Sequence, residues 1–157
     1  GGLRPERRVG CQRPGMSDAC VLDTYPWLHL LEETGNIPRR AMRLINAGAT
    51  LHVPAMCLWE VAMLLERDRI AVRDPHITCE RWLRSALAAP CEIAPLTPRI
   101  AACAADLERE GFHGDPADRM VYATARVLGV PLITGDQDIH RFEAGLPKRV
   151  KRLAVWD

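Results

Sequence analysis

Short apolar runs alternate along this chain with longer stretches of helical period. Residues 20–23 read as a buried strand, followed by helices at 26–33 and 38–47, the second with Pro38 in its first turn and Gly48 as its C-terminal cap. A strand at 51–53 leads into a strongly apolar helix at 55–67. Another helix is predicted at 78–89, with Thr78 as N-cap and Arg81 and Arg84 on its wet side. Residues 91–96 alternate weakly, as a strand would, and Thr97 then caps a helix over 97–109 with Pro98 at its first position. A loop at 111–114, a helix at 116–128 stopped by Gly129, a strand at 131–134, a short helix at 137–142 and a last strand at 149–155 complete the pattern. Strands separated by helices predict an α/β fold whose parallel sheet is covered on both faces. In open sheets of this kind, sites gather beyond the carboxyl ends of the strands. Asp23 and Asp136 both fall at such ends.

The length, 157 residues, suits one domain with one core. No apolar stretch approaches the roughly 20 residues that a membrane helix needs, so no membrane association is expected and the cytoplasm is the default location. The six cysteines, at 11, 20, 57, 79, 91 and 103, form no C-x-x-C pair and no zinc spacing. Most lie in apolar patterns, which predicts buried free thiols. Residues 1–15 are rich in Arg, Gly and Pro and have no periodicity, so they read as a disordered leader, either an expression remnant or an upstream start before Met16. Residues 16–157 are then the folded domain. The leader carries Arg4, Arg7, Arg8 and Arg13 against Glu6, a net of +3; the whole chain is +1, which leaves −2 for the remainder. Affinity of the folded body for nucleic acid must therefore come from local patches and a bound cation rather than bulk charge.

Four acidic residues stand where an ordinary fold has little use for them. Asp23 ends the run Cys20-Val21-Leu22, and it either caps the next helix or binds metal from a strand end. Glu60 has only Met56, Cys57, Met63 and Leu64 three and four residues away, so it faces an apolar stripe unless a buried Arg pairs with it. In Gly114-Asp115-Pro116-Ala117-Asp118, Asp115 suits the N-cap, while Asp118 either serves the helix dipole or acts as a ligand. Asp136 follows Thr134-Gly135 and is either a turn residue or a site residue, with Asp138 an alternative helix cap. Two carboxylates about 5 Å apart repel by roughly 3 kcal/mol at an effective dielectric near 20. Several such pairs would consume much of a domain's stability of about 5–15 kcal/mol. A divalent cation relieves that repulsion, and an oxygen-only donor set suits Mg²⁺ or Mn²⁺ rather than zinc. Its natural chemistry is phosphodiester hydrolysis.

Other residues admit two readings. Arg119 contacts a phosphate, or pairs with Glu60 or a neighbour. The cluster Lys148, Arg149, Lys151 and Arg152 guides RNA or is a solvated edge, and His113 is an acid or a surface loop residue. Trp27, Trp59, Trp82 and Trp156 read as core or interface anchors, with Trp59 placed to fix Glu60 by packing.

Taken in order, Val21-Leu22-Asp23-Thr24, Leu58-Trp59-Glu60-Val61-Ala62, Phe112-His113-Gly114-Asp115-Pro116-Ala117-Asp118-Arg119 and Leu132-Ile133-Thr134-Gly135-Asp136 resemble the PIN-domain family. Within it they are most similar to the VapC-type ribonuclease toxins of bacterial type II toxin–antitoxin systems. The resemblance implies a three-layer α/β/α sandwich with a short, mostly parallel central sheet and a Mg²⁺- or Mn²⁺-dependent endoribonuclease. Asp23, Glu60, Asp118 and Asp136 match the family's catalytic acids, with Asp23, Asp118 and Asp136 expected to hold the metal. Asp115 matches an additional acid, and Thr134 a hydroxyl that orients water or an acidic side chain. The expected partners are an RNA substrate, a VapB-type antitoxin that can place an Arg in the metal site, and a second copy of the chain. A PIN-type RNA-processing nuclease and a non-catalytic, metal-stabilised binding module are the competing readings.

Overall fold

The computed structural model describes residues 18–157, so the predicted leader at 1–15 and Cys11 lie outside the described residues. The chain runs β1 (Ala19–Leu22), α1 (Thr24–Glu32), α2 (Arg39–Ala47), β2 (Thr50–Pro54), α3 (Ala55–Glu66), α4 (Cys79–Ala86), β3 (Cys91–Ala94), α5 (Pro98–Arg109), α6 (Pro116–Leu128), β4 (Leu132–Ile133), α7 (Gln137–Ala144) and β5 (Ala154–Val155). The strands form one sheet in the order β3-β2-β1-β4-β5, with every pairing parallel. Val21, Leu22, Leu132 and Ile133 at its centre are all fully buried. Consecutive strand residues point to opposite faces, so helices cover both sides, as the alternation of elements predicts.

The caps explain most of the boundaries. Thr78 accepts the N–H of Arg81, Thr97 that of Ile100, and Asp115 that of Ala117. Gly129 ends α6 in the left-handed region at φ 68°, where a side chain would be strained. Helix α1 begins two residues before its predicted start. Asp23 caps it by accepting the N–H of Thr24, and Pro26 falls in the first turn, where no intrahelical donor is needed. Gly48 sits at the end of α2, but its backbone is extended rather than left-handed.

The last strand is shorter than its predicted span of 149–155. Val150 N–H turns back to Pro147 O, and Arg152 donates to the carbonyls of Leu146, Pro147 and Val150. These local bonds replace a ladder with a turn, and only Ala154 and Val155 pair with β4. Arg152 is therefore a structural cap rather than part of a free basic cluster.

Two features tie the far side of the sheet together. Phe112, from the loop before α6, packs on Phe142 of α7 at 4.7 Å between ring centroids and on Tyr122 of α6 at 6.2 Å. Glu143 of α7 is buried and accepts from Tyr122 Oη (2.8 Å), Leu153 N (2.8 Å) and Ala154 N (3.1 Å). One carboxylate thus joins α6, α7 and the start of β5. Glu143→Ala would strand a buried hydroxyl and two backbone N–H groups. It is expected to lower stability by about 3 kcal/mol or more, and Glu143→Gln by less, as read by urea unfolding.

Candidate active site

The strand order reverses at β1: β2 and β3 lie on one side of it, β4 and β5 on the other. The gap beyond the carboxyl ends of β1 and β4 is where such folds leave a crevice. Asp23 leaves β1 at this gap and stays tied across it, its N–H donating to Ile133 O at 3.0 Å. Thr134 and Asp136 leave β4 at the same edge. Asp115 and Asp118 arrive on the first turn of α6, and Glu60 arrives from the middle of α3.

A chain of hydrogen bonds joins three of the four principal acids. Thr24 Oγ1 donates to Glu60 Oε2 at 2.7 Å, and Thr24 N–H to Asp23 Oδ1 at 2.8 Å. Thr134 Oγ1 donates to Asp23 Oδ2 at 2.7 Å and accepts the N–H of Asp136 at 3.1 Å. Asp136 Oδ1 caps α7 by accepting from Ile139 N at 2.9 Å. Asp138, the alternative cap, is exposed and paired with Arg141. Thr134 is fully buried, and its hydroxyl orients the first acid rather than the last one beside it. Asp23, Asp115 and Asp136 therefore each cap a helix, and each does so at the acidic edge.

Asp118 differs from the rest. Among the described residues its carboxylate has neither a hydrogen-bond donor nor an ion-pair partner. Burial, followed by Asp136, Asp23, Asp115 and Glu60, pushes its pKa from 3.8 up to about 7. Burial raises Asp23 above the usual carboxylate range, with Asp136 adding to the rise while Thr134 and the N–H of Thr24 oppose it. Burial likewise raises Glu60, opposed by the Thr24 hydroxyl and reinforced by Asp23 and Asp115. The five acids are thus close enough to act on one another. Beneath them Cys57 is buried, its thiol pushed well above its ordinary range by burial and then by Asp23. It is one of five described cysteines, all free.

Among the described residues, no group of three Asp, Glu, His or Cys side chains is already drawn up tightly enough to hold a metal ion. The donor chemistry nevertheless fits a hard cation. Asp23, Glu60 and Asp118 are each raised by burial and by neighbouring acids, and among the described residues Asp118 has both oxygens without a protein partner. Asp23, Asp118 and Asp136, at the gap, are the residues that could hold such an ion.

The remaining candidates resolve differently. Arg119 is only 17% exposed and pairs with Glu108 of α5 at 3.2 Å, so it braces α5 against α6 and pairs with no site acid. His113 is a surface loop residue. Trp27 is a core anchor whose Nε1 donates to Ala86 O at 3.3 Å. Trp59 is 58% exposed, and the hydrogen bond to Glu60 comes from Thr24. Instead Trp59 lines an apolar groove of about 310 Å³ with Met56, Leu96 and Met120. Sequence reasoning missed the bond from the hydroxyl of Thr24 to Glu60, although its place directly after Asp23 was the available signal. Gly135 is required by contact: a Cβ there would lie 2.9 Å from the Trp156 ring.

The sequence profile of the PIN domain matches residues 20–145. The chain is 34% identical over 136 residues to Ribonuclease VapC22 of Mycobacterium tuberculosis (strain ATCC 25618 / H37Rv), which covers 87% of this chain and 97% of that protein. Its fold is similar to a toxin–antitoxin complex from Klebsiella pneumoniae (TM-score 0.58, 21% identity, 87% of this chain and 95% of that one). It is also similar to VapBC2 from Rickettsia felis bound to a DNA fragment from their promoter (TM-score 0.56, 14% identity, 79% and 92%).

The raised pKa of Asp118 has a sign that can be checked. The native state holds this proton more tightly than the unfolded chain, so the stability it confers is present below the ordinary value of 3.8 and is lost as pH rises to about 7. With chelator present, Asp118→Asn is expected to stabilise the protein by about 1–2 kcal/mol at alkaline pH, a figure discounted for the partial exposure of the group. The gain should fade towards acid pH, as read by urea unfolding across the range.

Proposed function

The chain belongs to the PIN-domain family, and from that premise we propose that it is a metal-dependent endoribonuclease acting as the toxin of a toxin–antitoxin pair. The observation that carries this reading is the convergence of Asp23, Glu60, Asp118 and Asp136 at the gap between β1 and β4. The likeness to a named ribonuclease along nearly its whole length supports it.

In this reading Asp23, Asp118 and Asp136 would hold Mg²⁺ or Mn²⁺. When bound, such an ion lowers the pKa of water and screens charge building on the phosphate. The side chains do the rest. Thr134 and the N–H of Thr24 fix the Asp23 carboxylate, and the cap on α7 fixes Asp136. Glu60 has one oxygen engaged by Thr24 and the other available to take a proton from the attacking water. No side-chain nucleophile is needed. Asp115 is held as a helix cap and adds negative charge at the rim.

The partners follow from the same surfaces. RNA is the substrate. The anionic gap suits a guanidinium, so a VapB-type antitoxin would neutralise the enzyme by seating an Arg among the carboxylates. A homodimer has apolar surface available in the groove around Trp59 and Leu96, both at least half exposed. No helix among the described residues is long and apolar enough to cross a membrane, and we place the enzyme in the cytoplasm.

Structured RNA incubated with the protein and Mg²⁺ or Mn²⁺ tests the proposal. EDTA is expected to silence the wild type, and Asp23→Asn to lower cleavage by roughly 100-fold or more with little change in melting temperature. Undiminished cleavage by that variant, or cleavage that survives EDTA, would contradict the assignment.

A further inference from the structure

We propose that Thr24 is a positioning residue for Glu60, holding its carboxylate at the site through the bond from the Thr24 hydroxyl. The inference rests on the ribonuclease reading above and adds to it a residue outside the acidic set.

Three observations lead to it. First, the bond is short and enclosed: Thr24 is 2% exposed, and its Oγ1 lies 2.7 Å from Glu60 Oε2, across 36 positions of sequence. Second, the hydroxyl has no competing use within its own helix. Thr124, inside α6, donates to the carbonyl of Met120 one turn back at 2.7 Å. Thr24 opens α1, so no preceding turn exists to offer it a carbonyl. Third, Glu60 has no other protein donor among the described residues, and no Arg, Lys or His pairs with it. Its neighbours along α3 are Met56, Cys57, Met63 and Leu64, which cannot hold a carboxylate in place.

The consequence follows from charge and flexibility. Asp23 and Asp115 both repel Glu60, and a glutamate has three rotatable bonds with which to swing towards solvent. The Thr24 hydroxyl is the tether that opposes this. Because the backbone N–H of Thr24 independently holds Asp23, removing the hydroxyl alone separates the two functions. Asp23 stays fixed while Glu60 is released.

Thr24→Val keeps the shape and loses the donor, whereas Thr24→Ser keeps the donor. Crystal structures of both variants give a readout independent of activity. The Glu60 carboxylate is expected to leave the Asp23 edge in the valine variant and to stay within hydrogen-bond reach of the hydroxyl in the serine variant. In cleavage assays Thr24→Val should lower kcat by roughly 10- to 100-fold, the scale of a displaced acid–base group, and Thr24→Ser should restore most of it. Manganese affinity by calorimetry should change by less than about threefold, since the ligands Asp23, Asp118 and Asp136 are untouched, and melting temperatures should stay close. Glu60 unmoved in the valine variant, full activity without the hydroxyl, or a loss that tracks manganese affinity and is not rescued by serine would each overturn the inference. A wild type that cleaves no RNA would instead overturn the ribonuclease reading, and the crystallographic comparison would still decide whether the tether exists.

Discussion

Carboxylates crowd the gap where β1 and β4 part, and Asp23, Glu60 and Asp118 give up water to be there. The strand order dictates the crowding. Because β1 lies between β2 and β4, the chain leaves it in one direction and returns on the other side, so residues distant in sequence meet at one edge. Among the described residues, no Lys, Arg or His forms an ion pair with them. The repulsion is instead contained by hydroxyl and amide donors, chiefly Thr24 and Thr134, which accept the geometry without neutralising the charge. At Asp118, which has no donor among the described residues, burial and then the neighbouring acids push the pKa up to about 7.

The scaffold around the gap is tied together through α7. Asp136 is simultaneously a strand end, a helix cap and a neighbour of Asp23, so its position depends on how α7 is seated. That seating is fixed at the other end of the helix by Glu143, whose bonds reach Tyr122 and the start of β5, and by the rings of Phe112 and Phe142. The same aromatic contact anchors the loop that delivers Asp115 and Asp118. This packing therefore bears on the spacing between Asp136 at the start of α7 and the two acids at the start of α6.

Much of this was legible in the chain because local chemistry and tertiary demand agree there. The Thr97-Pro98 and Asp115-Pro116 starts and the Gly129 stop are cap signals whose partners lie within the same helix, so neighbouring residues suffice to find them. The acids stood out for the opposite reason: Glu60 breaks an apolar stripe. What sequence could not carry were bonds formed at a distance. The turn at 147–152 depends on Arg152 reaching three carbonyls, and a basic, β-branched string gives no hint of that. The pairing of Arg119 with Glu108 needs the packing of α5 on α6, and the exposure of Trp59 needs the position of α3 at the edge of the core. Thr24 was hidden by ambiguity, because a threonine after an aspartate looks like helix-start chemistry and here serves that end through its backbone while its hydroxyl serves another.

The engagement of Arg119 elsewhere has a wider meaning. An enzyme whose acids were balanced by its own arginine would have a built-in occupant to displace. Here the nearest cationic side chain in sequence is tied to a neighbouring helix, and the anionic cleft faces outward with its charge unmet. A metal ion or a partner's guanidinium would compete there by concentration and fit, and among the described residues no arginine has first to be displaced.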